Sequence, residues 1–171
     1  MIPVAWSVSA IFQQAMLNPI AGRCWTTAAP TTYSSLSADT IDVALFGTLT
    51  PDKTVAVGST GYNTGVWTTG NEITDTNWAA GGRALASKNF SIDTGSSSIV
   101  FNAANLAGGG NVTLAAVFGC LVYDATITAG TVAKQGLCFN YFGGSQSVTA
   151  GTFTIIWATV GATTGVFNIT V

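Results

Sequence analysis

Apolar residues in this chain recur with a period of two far more often than with a helical period. The cleanest alternation covers residues 39–46, where Ile41, Val43 and Leu45 share one face and predict a half-buried strand. Alternation resumes over 83–93 and 98–102, with Leu85, Phe90, Ile92, Ile99 and Phe101 as inward positions and Thr94-Gly95-Ser96 as the joining turn. Residues 112–123 are almost continuously apolar, as in a strand covered on both faces; a turn over 124–130 follows, and 131–142 returns. The strongest pattern is 135–157, where two aromatic-rich runs flank a polar segment carrying Gly143, Gly144 and Gly151 and predict a hairpin. Its Phe139, Tyr141, Phe153, Ile155 and Trp157 read as alternate core and sheet-face positions. Residues 163–171 supply a last strand. Helical spacing occurs over 6–17, ended by Asn18-Pro19, and predicts a short helix.

These elements predict an all-β chain, an antiparallel β-sandwich of jelly-roll or immunoglobulin-like type, with a short N-terminal helix in an arm over residues 1–20. A length of 171 residues suits a single domain. Residues 47–82 break the pattern as a long irregular insertion, and a segment of that kind either carries function or hides misread elements. Tyr62, Trp67 and Trp78 lie there among Asn63, Asn71, Glu72, Asp75 and Asn77, with Arg83 just beyond. Such aromatics either fold back onto a small core of their own, anchor an interface, or stack sugar rings.

Composition shifts the picture toward assembly. Only 7% of residues are charged and Gly numbers 20, so the surface depends on hydroxyls and amides, which suits a subunit packed against neighbours. A net charge of −2, with Arg23, Arg83, Lys53, Lys88 and Lys134 far apart, argues against nucleic acid as a partner. The apolar runs reach about half the length a membrane-spanning helix needs. No basic segment precedes the apolar residues at the N-terminus, so no secretory signal is expected and the chain is expected to stay in a cytoplasm until it assembles.

Candidate chemistry is sparse. Histidine is absent, which removes the commonest general base and the usual nucleophile triads. Asp39 and Asp42, three apart on a strand, point to opposite faces and read as strand-edge solubility. Glu72 and Asp75, on one loop beside Trp67 and Trp78, are a poor case for a glycosidase pair. The trio Gly108-Gly109-Gly110 opens no helix after a phosphate-loop signature. Cys24, Cys120 and Cys138 have no metal-ligand spacing and read as buried thiols, with a Cys120–Cys138 bridge as the alternative. No catalysis, cofactor or metal is expected.

Several stretches carry a resemblance. They are residues 115–124, residues 136–144 continued by 145–157, the Phe12-Gln13-Gln14 opening, the Ile41–Leu45 strand with its Thr50-Pro51-Asp52 turn, and 70–73 leading to 81–85. Together they resemble small virion proteins of tailed bacteriophages, most of all capsid decoration (cement) proteins. The resemblance implies a non-enzymatic structural role on the outside of the capsid, after assembly in the host cytoplasm. It implies as partners the major capsid protein and copies of the chain itself, with a trimer as first expectation. Docking is expected from the arm, through Trp6, Phe12 and Met16, or from the irregular segment, through Tyr62, Trp67, Glu72, Trp78 and Arg83. The alternatives are a tail tube, tip or fibre component touching a host glycan, and a free carbohydrate-binding module.

Overall fold

A computed structural model describes residues 6–13, 15, 36, 38–53, 59–128, 133–160 and 163–170. The chain is all-β and every strand pairing is antiparallel, in keeping with the expected sandwich class. The largest sheet contains β1 (Ala10–Ile11), β2 (Ile41–Phe46), β3 (Arg83–Ala84), β7 (Val112–Asp124) and β8 (Gly136–Gly151), in the order β1-β8-β7-β2-β3. A three-stranded sheet has β4 (Asn89–Asp93), β5 (Ser98–Asn102) and β12 (Phe167–Thr170) in the order β12-β5-β4. Two short ribbons complete the described fold: β6 (Leu106–Ala107) with β9 (Thr154–Ile155), and β10 (Ala158–Val160) with β11 (Thr163–Gly165).

The β7–β8 pair dominates the molecule, and its second strand corrects the expected 135–157 hairpin. Gly143 and Gly144 do not turn the chain; both lie inside β8. Val117 pairs with Gln146 and Gly119 with Tyr141, so residues 142–145 of β8 stand opposite Phe118 alone. The glycine pair, at φ +78° and +157°, supplies the backbone freedom for this bulge, because those angles are poorly open to residues with a Cβ. Two smaller irregularities follow along the ladder. Ala116, at φ 54°, donates its N–H to Ser147 Oγ, and Ala150, at φ 48°, donates to Thr113 Oγ1, both over 3.1 Å. Each hydroxyl replaces a ladder partner that the extra residue has displaced.

β2 is buried on both faces rather than one, and only Asp42 is half-exposed. It lies between β7 and β3, so Val43 and Leu45 face one side of the core while Phe46 meets Trp67 on the other, ring centroids 5.1 Å apart. Asp42 is therefore not an edge residue; its carboxyl faces the Tyr123 hydroxyl.

The N-terminal segment also departs from expectation. Residues 6–11 are not helical: Ala10–Ile11 pairs with Phe139 and Cys138 as a strand, and helical backbone begins only at Gln13 and Ala15. The rest of the expected helix lies outside the described residues. Two glycines explain why this segment belongs to the sheet. A Cβ on Gly119 would fall 2.6 Å from the Trp6 ring, and one on Gly136 would fall 2.6 Å from the Phe12 ring. Each bare glycine thus makes room for an aromatic side chain from the other end of the chain. Trp6 adds a hydrogen bond from its indole N–H to Gly47 O, 2.8 Å long.

Candidate interaction surface

The residues singled out in the sequence mostly lie in the interior. Trp6, Phe12, Tyr62, Trp67 and Trp78 are buried, and Glu72 is nearly so. Arg83 is half-buried, and Met16 lies outside the described residues. Trp67 sits at the centre of an aromatic cluster, within 6 Å of the rings of Trp6, Phe12, Phe46 and Phe139. The aromatics of 47–82 do not form a small core of their own, as one of the three readings had it, but join the main core under the large sheet. The signal that these rings belong inside was invisible to periodicity, because irregular backbone has no period.

Glu72 is central to what fixes the irregular segment. Its carboxylate accepts the Tyr62 hydroxyl at 2.7 Å and the Gly81 N–H at 2.9 and 3.2 Å. Tyr123 reaches the same turn from β7, donating to Gly81 O at 2.8 Å, and its ring stacks on Tyr62 at 4.7 Å. The Lys134 ammonium stands 5.1 Å over the other partner of that stack, the Tyr62 ring. Burial raises the Glu72 carboxyl above its ordinary range, and the hydrogen bonds from Tyr62 and Gly81 oppose that rise. Both tyrosine hydroxyls are pushed well above the ordinary phenol value, first by burial and then by the neighbouring carboxylates. They are donors at any physiological pH, and Glu72 is the acceptor that ties them and Gly81 into one clamp.

The far end of the segment is stitched to the start of β7 and the residue before it. Asn77 donates to Asn111 O at 2.9 Å, Asp75 accepts the Thr113 N–H at 3.2 Å, and the Arg83 guanidinium lies 5.9 Å over the Trp78 ring. Cys120 and Cys138 are buried free thiols, as the first reading had it, and do not bridge. Burial pushes the Cys120 thiol up to about 12.

The surface that remains open lies elsewhere, on the three-stranded sheet. Register places Phe90, Phe101 and Phe167 in one cross-strand row and Ile92, Ile99 and Ile169 in the next, on the same face. The phenylalanine row dips into the core: Phe101 is fully buried and stacks on Phe90 at 4.8 Å. The isoleucine row overhangs it, with Ile92 77% and Ile99 39% exposed. Phe90, Ile92 and Ile99 thus correct the sequence reading, which placed them inward. Alternation identified the correct face, but the sheet extends past the core it was expected to cover. On the opposite face Val100 is buried under Gly165, where a Cβ would come within 2.7 Å of it.

A second feature is a groove of about 870 Å³ beside β8, between the 9–11 segment that includes β1 and residues 153–158. Tyr141, Phe142, Phe153 and Trp157 line it together with the amides of Asn140 and Asn168. The exposed Ile156 lies on its wall. Among the described residues no group of three or more metal-ligating side chains comes together, and no helix is long and apolar enough to cross a membrane. Comparison with protein-family models, with curated proteins and with solved structures finds no match to this chain.

Proposed function

We propose that this chain is a non-enzymatic structural protein of a tailed-phage particle, decorating and stabilising the outside of the capsid lattice. The observation that carries the reading is the open isoleucine row on β4 and β5, in a chain with charge on only 7% of its residues. An exposed apolar sheet face is a liability for a free protein and an asset for a subunit whose neighbours cover it. The sequence resemblance to small virion proteins supports the choice of particle. The individual contact is small, since three side chains expose well under the ~800 Å² per partner of a standard interface. Many copies acting on one lattice compensate, as linked weak contacts do. The major capsid protein and further copies of the chain, arranged as a trimer, are the proposed partners.

The groove beside β8 favours a second reading, a tail component that meets a host glycan. Aromatic faces with flanking amides are what sugar rings require. Quantifying the chain in purified particles of the phage that encodes it separates the two. Copies matching the symmetry positions of the shell are expected; a few copies confined to isolated tails would establish the second reading, and absence from particles would overturn both.

A further inference from the structure

The corner where β2 begins and β7 ends holds two acids that the assembly role does not use. Ile41 pairs with Asp124, and Asp39 lies two residues before β2. Asp124 is fully buried. One of its oxygens, Oδ1, accepts the Thr126 N–H at 2.9 Å; the other, Oδ2, is buried and faces no donor, and the same holds for Asp39 Oδ2. The Ile41–Asp124 pairing and the Thr40–Thr126 hydrogen bond bring the two acids into one corner, where the Asp39 charge acts on Asp124. Around them the backbone is tightly bound: Thr40 N–H to Thr126 Oγ1 at 2.7 Å, Ala125 N–H to Thr40 O at 2.8 Å, and Asp124 N–H to Gln135 O at 2.9 Å.

Two carboxylates have only acceptors to offer each other, so a hydrogen bond between them requires one proton. The other charged groups nearby serve different partners. Asp42, next along β2, faces Tyr123, and Lys88 and Lys134 act on Asp42. On Asp124 the charge that acts is that of Asp39.

We propose that the Asp124 carboxyl keeps its proton in the folded chain and donates it to Asp39, a pH-sensitive latch that closes the β2–β7 corner in acid and loosens it in alkali. Opening transfers that proton from the O–H···O bond to a base in solvent and leaves two facing carboxylates that repel. Burial, and then the Asp39 charge, carry the Asp124 carboxyl from 3.8 to about 7. A folded-state value above the unfolded one means that the latch contributes fully below 3.8, loses its contribution progressively as pH rises from there to about 7, and changes stability no further above that. The chain has no histidine, so no imidazole titrates in the same range.

The test is thermal unfolding of the full chain and of Asp124→Asn, in buffers from mildly acidic to mildly alkaline. The amide keeps a donor between the two groups and removes the ionisation. The wild-type Tm is expected to fall as pH rises from acid to about 7 and to level off above it, and the Asp124→Asn Tm to stay level and exceed wild type at the alkaline end. A wild-type Tm that is level or rises between acid and about pH 7, or an equal slope in both proteins there, would overturn the proposal. So would a calcium-dependent rise in wild-type Tm that Asp124→Asn abolishes, since the pair would then hold a cation. Should the variant fail to fold, the carboxyl carbon resonances of aspartate-labelled wild type decide: one must titrate near neutrality, and confinement of all of them to the ordinary carboxylate range overturns the latch.

Discussion

At the residue scale, the strongest dependence falls on side chains that no periodic pattern marked. Glu72 is nearly buried, and Tyr62 supplies one of its hydrogen bonds. Replacing Tyr62 by Phe removes the donor and keeps the ring stacked on Tyr123, so the cost is that of a buried charged acceptor left short of a partner, ~1–3 kcal/mol. Urea denaturation measures it. Because the tyrosine hydroxyl holds the Glu72 carboxyl down against burial, the substitution also moves that group further up, visible in a carboxyl titration. Glycines divide sharply by what they face. Gly119→Ala drives a Cβ to 2.4 Å from Asn140 O and 2.6 Å from Trp6, whereas a Cβ at Gly143 meets nothing within 4 Å. The first is expected to cost about 3 kcal/mol through overpacking, the second ~1–2 kcal/mol through backbone strain alone. Parallel denaturation curves test the ranking, and equal costs would contradict it.

At the element scale, the strands with clean alternation were legible and the irregular ones were not. Residues 41–46, the pair 89–93 with 98–102, and 112–124 form strands close to where the pattern puts them, because cross-strand burial imposes the period that was read. The 135–157 hairpin failed for a definite reason. A Gly-Gly pair between apolar runs is the usual mark of a turn, yet here it allows an excursion inside one continuous strand, and which of the two occurs depends on the partner strand. Half of the terminal run was likewise misjudged: residues 163–171 hold β11 and β12, with the Val166 side chain buried between them. The candidate site was least legible. Bulky aromatics in an irregular segment read as surface anchors, and only the glycines opposite Trp6 and Phe12, with the carboxylate beside Tyr62, show that the sheet is shaped to receive such rings.

At the scale of the whole molecule, the open isoleucine row is the feature that association should depend on. Ile92→Lys and Ile99→Lys add charge to exposed positions, so the fold is expected to change by less than ~0.5 kcal/mol. Binding to particles lacking the protein is expected to fall at least tenfold, measured by co-sedimentation, and undiminished binding would move the docking surface elsewhere.

The seating of Trp6 and Phe12 on Gly119 and Gly136 has a consequence in time as well as in space. The two ends of this contact lie more than a hundred residues apart, as the 2.8 Å hydrogen bond that the Tyr141 N–H donates to Ser9 Oγ, at a separation of 132, makes plain. Contacts of that span are closed late and slowly. A growing chain therefore carries Trp6 unhoused until β7 and β8 have been synthesised.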